Sequence, residues 1–222
     1  MFAAAAISSS ISKAAPPDLV IATSDTDTKV STVAVANLTN VPDGALLVMT
    51  TCITHTGPTN CTVTSAPSLV WTKQADAGGA AGDNCEIHTA VFTGGGKIDI
   101  TSTWAAGNDH ALVCYAVLNA EAALGGANGT QTGTSAPSVD VTTTRINSIL
   151  FAITVDWNGV DGASRTLRDT ATETLYYHPN GGITVYAYYK QCTTPILHTV
   201  GVSAPTGQVA ATAVLEIRKV AA

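Results

Sequence analysis

Asp43-Gly44-Ala45-Leu46-Leu47-Val48-Met49-Thr50 is an apolar run opened by a turn, and it returns as Ile146-Asn147-Ser148-Ile149-Leu150-Phe151-Ala152-Ile153-Thr154. Short apolar runs bounded by turn residues read as buried β-strands. Two further segments echo in the same order. Glu86-Ile87-His88-Thr89-Ala90-Val91-Phe92 answers to Gly182-Ile183-Thr184-Val185-Tyr186-Ala187-Tyr188, and Ala111–Glu121 answers to Val209–Arg218. The chain therefore reads as one run of strands written twice, which specifies a scaffold before it specifies any chemistry.

Composition agrees. Threonine is about one residue in seven and charged residues are only 12% of the 222, about half the usual share. Thr and Val suit half-buried pleated surfaces, and Gly, Pro and Asn supply turns. The helix-filling residues Leu, Glu, Lys and Arg are scarce. This predicts an all-β fold. A net charge of -6 with no Lys/Arg cluster argues against nucleic acid or anionic membrane as a partner. No apolar run is long enough for a transmembrane helix, so no membrane insertion is expected. The start, Met1-Phe2-Ala3-Ala4-Ala5-Ala6-Ile7, lacks the basic region and apolar length of a signal peptide, which favours synthesis without export.

Residues 1–29 read as an N-terminal arm: alanine and serine dominate it, Pro16-Pro17 stiffens it, and Asp25-Thr26-Asp27 leads out of it. Residues 30–222 then read as a β-sandwich domain built from two similar halves, about 30–121 and 138–220, with the Gly/Ala/Thr-rich stretch between Ala120 and Ala136 dividing them. Expected strands are Val30–Leu38, Ala45–Ile53, Leu69–Gln74, Cys85–Phe92, Lys97–Trp104 and Ala111–Leu118. The second half offers Ser138–Thr142, Ser148–Val155, Thr172–Tyr177, Ile183–Lys190, Ile196–Val202 and Val209–Val220. A single antiparallel jelly-roll-like sandwich made from both halves closes its edges better than two small tandem sandwiches, which are the alternative.

Certain turns and strands also carry a resemblance. Val41-Pro42-Asp43-Gly44 before an apolar strand, Leu69-Val70-Trp71-Thr72, Glu86-Ile87-His88-Thr89-Ala90, Ile98-Asp99-Ile100-Thr101 and the closing Ala213-Val214-Leu215-Glu216-Ile217 resemble β-sandwich modules of phage virion proteins and of bacterial surface and filament proteins. The resemblance covers about residues 30–220 and rests on strand grammar. It implies a structural or adhesive role and carries over no catalytic residue.

The candidate site residues are few. His55, His88, His110, His178 and His198 show no H-x-H or HExxH spacing, and His88 alternates with Glu86 and Ala90 as an exposed sheet position would. Asp156, Asn158 and Asp161 put oxygen ligands at a Gly-rich loop in the manner of a calcium site, but without the closing Glu, and Asn-Gly and Asp-Gly are also ordinary turns. Asp25 and Asp27 are a second carboxylate pair that could hold an ion at a subunit junction. Tyr186 and Tyr188 fall on one face of a strand, either packed on a facing sheet or presented to a subunit or a glycan. Cys52 and Cys61 flank a loop and could form a hairpin-end disulfide, although an odd count of five cysteines argues against a full disulfide framework. No nucleophile elbow occurs.

These residues predict a non-enzymatic structural subunit without a cofactor. Its expected partners are copies of itself and other subunits of the same particle, and its expected place is a virion, as a decoration or a head or tail protein. Phe2, Ile7 and Ile11, the arm's large apolar side chains before Leu19, would anchor it on neighbours. An extracellular filament subunit joined by donor-strand exchange and a carbohydrate-binding module are the alternatives.

Overall fold

A computed structural model describes residues 18–54, 59–78, 83–121, 128–133, 135–179 and 182–221. Phe2, Ile7, Ile11 and His55 lie outside them. The first half holds β1 (Val20–Lys29), β2 (Val33–Val41), β3 (Ala45–Thr54), β4 (Cys61–Ala66), β5 (Thr72–Gly78), β6 (Asp83–Phe92), β7 (Gly96–Trp104) and β8 (Asn108–Leu118). The second holds β9 (Asn128–Gly133), β10 (Ser138–Thr142), β11 (Ser148–Asp156), β12 (Thr166–Leu167), β13 (Thr172–Tyr177), β14 (Thr184–Cys192), β15 (Leu197–Ala204) and β16 (Ala210–Ile217). The fold is all-β, and every pairing is antiparallel.

Strand order shows the duplication directly. One five-stranded sheet runs β1-β8-β3-β6-β5, and the other, read from its far edge, runs β9-β16-β11-β14-β13. The three-stranded sheets run β2-β7-β4 and β10-β15-β12. Each strand of the first half thus has its counterpart in the same chain order in the second. Gly44 and Asn147 occupy the same turn position before the central strand, at φ 74° and 55°, where only Gly or Asn sits without strain.

Three cores hold four layers together. In each half a five-stranded sheet faces a three-stranded one, around Leu38, Leu47, Phe92 and Ile100 in the first and Leu150, Tyr188, Val200 and Val214 in the second. The outer faces of the two five-stranded sheets then meet around Val48, Ile87, Val113, Tyr115, Phe151, Ile153, Val185 and Leu215. The halves therefore abut as two sandwiches, each with its own core, and share a third core between them. Because both faces of β3 and β11 are covered, every residue of each is buried.

Residues 20–29 are not arm. They form the edge strand β1, paired with β8 from Val20↔Leu118 to Lys29↔His110, and Leu19 before them is buried. A bulge between Ile21 and Thr23 turns the strand over, leaving Ile21 against the middle core and aiming Asp25 and Asp27 towards β2. There Asp27 Oδ2 accepts the Val35 amide at 2.9 Å and Asp25 Oδ2 accepts the Asn37 amide at 2.6 Å. β2 is an edge strand, so these carboxylates cap amides that would otherwise invite another strand. Asp25 and Asp27 thus each hold a backbone amide of the neighbouring strand.

Replacing Asp25 and Asp27 together by Ala should lower the unfolding free energy by about 1–3 kcal/mol and promote concentration-dependent association through the bared edge. The Asn pair, which keeps an acceptor, should lose less. Urea denaturation and light scattering check both.

Candidate functional site

The interior of the first sandwich is apolar at one end and polar at the other. Strand alternation sends Glu86 and His88 of β6, Thr51 of β3, His110 of β8, Cys61 of β4, and Ser102 and Trp104 of β7 into the polar end. A bulge between Lys73 and Ala75 places Lys73 opposite His88.

Glu86 is the hub. Its Oε1 accepts the Cys61 amide at 3.2 Å and the Lys73 ammonium at 3.2 Å, and its Oε2 lies 2.5 Å from His88 Nε2. Lys73 also reaches Asp76 at 2.5 Å. Burial works to raise the Glu86 pKa, but the His88 hydrogen bond, the Cys61 amide and the nearby cations outweigh it and hold the carboxyl below its ordinary value. Cys61 Sγ lies 3.0 Å from Ser102 Oγ. Burial pushes this thiol up to about 12, so it stays protonated and is a poor nucleophile at neutral pH.

Next to it, Thr51 Oγ1 lies 2.9 Å from His110 Nε2 and 3.1 Å from Ser102 Oγ. Thr51 gives its own proton to the Ala111 carbonyl at 3.2 Å and accepts from Trp104 Nε1 at 3.3 Å. The Ser102–His110 distance of 3.1 Å imitates a nucleophile–base pair, yet both residues are fully buried, beyond reach of a substrate. Burial pushes His110 down to about 4.

His88 therefore corrects the expectation of an exposed sheet position. It is buried because the sheet is covered on both faces at this point. The same cause corrects Tyr186 and Tyr188. They do share a face, but it packs on Val200 and Val202, and both side chains are fully buried. Tyr188 OH lies 3.3 Å from Thr154 Oγ1. No subunit or glycan can stack on them in this fold.

The Asp156 loop is a self-satisfied turn. Asp156 Oδ1 accepts the amides of Asn158 and Val209 at 3.1 and 2.7 Å, and its Oδ2 accepts Val160 at 2.9 Å. Asp161 Oδ1 accepts the Ala163 amide and the Tyr176 hydroxyl, each at 2.8 Å. Asn158 donates its side-chain amide to the Gly207 carbonyl at 3.0 Å. The oxygens meant for calcium are turned to donors of the chain itself. All five cysteines are free. Cys52 faces the middle core with Cys85 directly across from it, whereas Cys61 is turned into the first sandwich, so the expected Cys52–Cys61 bridge does not form.

Pairing register finds what occupies the polar positions in the other half. Thr51 faces Glu86 and Thr154 faces Tyr186; Lys73 faces His88 and Glu173 faces Tyr188. Glu86 and His88 thus correspond to Tyr186 and Tyr188, and Lys73 to Glu173. The fold accepts two phenols where the first half has an acid and an imidazole. Comparison of the chain with protein-family profiles, curated proteins and solved structures returned no match.

The pH consequence has a definite sign. The unfolded His110 takes up a proton near pH 6.5 and the folded one only near 4. Stability is therefore complete above pH 6.5 and falls as pH drops to 4, by about 3 kcal/mol in all. Glu86 adds a further acid loss at lower pH, since a depressed carboxyl stabilises only while ionised. His110→Gln should flatten the fall between pH 6.5 and 4 and leave the lower limb, as read from urea midpoints across pH.

Proposed function

We propose that the chain is a non-enzymatic structural subunit of a large particle, a virion surface or head or tail component, that meets its neighbours through sheet faces and through the residues before Asp18. The observation that carries this is the outer face of β2-β7-β4. Across it, Val33, Thr103 and Thr62 form one row and Val35, Thr101 and Thr64 the next. Val33 and Val35 are 40% and 36% exposed. These two rows carry no charge and are made of β-branched side chains, which are stiff at χ1, with Asp99 and Lys97 beyond them on β7. Burying them against another surface costs little rotamer freedom, which favours lateral packing. The chain's low charge favours it too.

The filament alternative has one specific foothold. β1 closes its sheet as an edge strand, paired with β8 on both sides of the bulge between Ile21 and Thr23, and its covalent link to β2 is residues 30–32, so a neighbour's β1 could take the same place. The glycan-binding alternative loses the tyrosines on which it rested.

Sedimentation velocity and negative-stain images of the full chain test the proposal. Higher-order species are expected. Thr64→Lys with Thr101→Lys should reduce them to monomer without moving the melting temperature, and deletion of residues 1–17 should weaken them. A chain that stays monomeric at every concentration, alone and with the other proteins of its particle, would sink the reading. Species that survive the lysines but vanish when β1 is locked to β8 by an engineered disulfide would favour strand exchange.

A further inference from the structure

We propose that Cys61, Glu86 and His88 form a binding site for one zinc-type divalent ion, which would clamp the edge strand β4 to β6 of the facing sheet. Sγ of Cys61, a carboxylate oxygen of Glu86 and a ring nitrogen of His88 all lie within 4.8 Å of one another. A tetrahedral ion with bonds of about 2.0–2.3 Å holds its ligands about 3.5 Å apart, so closure asks for a shift of about an ångström. β4 lies on a sheet edge, where such a shift is cheap.

Three features beyond proximity support the site. The donor set of one thiolate, one imidazole and one carboxylate is the chemistry of zinc and excludes the hard ions calcium and magnesium. The surroundings already orient the ligands: Ser102 lies on the sulfur, and Lys73 and the Cys61 amide hold Glu86 Oε1, leaving Oε2 for the ion. The matching positions of the second half carry Tyr186 and Tyr188, so the duplicated fold itself does not call for an acid and an imidazole here.

Cys61 is also partly exposed, whereas Cys52, Cys85, Cys114 and Cys192 are buried, so an ion can enter from the edge. On binding, the Cys61 thiol gives its proton to solvent, the proton held between His88 Nε2 and Glu86 Oε2 passes to Nδ1 of the same ring or to solvent, and that hydrogen bond is replaced by two bonds to the ion. Three protein ligands leave the fourth position to water.

Chelator-treated full-length protein titrated with cobalt(II) tests this. One ion per chain is expected, with a thiolate-to-cobalt charge-transfer band in the near ultraviolet that zinc abolishes by displacement. Cys61→Ser should remove the band while leaving the circular dichroism unchanged, and Cys192→Ser should keep it. His88→Gln and Glu86→Gln should each weaken binding tenfold or more. Zinc should raise the melting temperature of the native chain and leave that of Cys61→Ser unmoved. No saturable band in the native chain, or a band that survives Cys61→Ser, would overturn the site, and neither result bears on particle assembly.

Discussion

The shared apolar core between the two five-stranded sheets sets the conditions for the rest of the molecule. Each of these sheets already covers one face with its three-stranded partner, and the middle core covers the other. Over most of their length β3, β6, β11 and β14 then cannot reach water by turning to the other side, and only near strand ends do side chains such as Val91 and Gln191 emerge. Every buried polar side chain there has to be answered from within, because an unpaired polar group in such a place costs several times what a hydrogen bond contributes. Glu86 takes an imidazole, an amide and an ammonium; Asp156 takes three amides; Glu216 takes the amides of Thr144 and Arg145 and the Thr144 hydroxyl.

The same core explains which parts of the fold were legible in the sequence. The central strand pair is legible in its true register, Leu47 with Leu150, because the turn residues Gly44 and Asn147 pin its start. The Glu86 echo is out of step, since Glu86 belongs with Tyr186 and not Gly182, and the Ala111–Glu121 echo, eleven residues against ten, fixes no single register. The Glu86 slip is by an even number of residues. A strand pattern of period two keeps every side chain on its proper face under such a slip, so alternation alone has no means of detecting it.

The strands not foreseen were β1, β4, β9 and β12, and all are edges. An edge strand has fewer covered neighbours, so it carries less apolar signal; Cys61-Thr62-Val63-Thr64-Ser65-Ala66 and Thr23-Ser24-Asp25-Thr26-Asp27-Thr28 read as loop and arm for that reason. The candidate site was lost with them. Cys61 stands on one of these edges, and Glu86 and His88 took on meaning only once β4 was placed opposite β6. Their alternation with Ala90 was visible, but it normally marks a wet face. Only tertiary structure shows that the face is dry.

Across the middle core β3 meets β11, β5 meets β16, and β13 meets β8. Since β5 corresponds to β13 and β16 to β8, the β5–β16 and β13–β8 contacts match each other, but β16 also packs on β6 and β9 on β5 without an equal contact of β8 with β14 or of β1 with β13, so the two copies meet off a symmetric axis. The rings of Tyr115 and Phe151 meet there with centroids 4.6 Å apart, and Tyr115 OH lies 2.6 Å from Thr174 Oγ1. Joining the two partners in one chain changes the thermodynamics of that contact. A dimer of single sandwiches would dissociate on dilution, whereas the tethered pair meets at a fixed effective concentration that the solution cannot lower. The joined chain also frees each copy to diverge. One keeps an acid and an imidazole where the other has two phenols, a difference that two identical subunits could never have acquired.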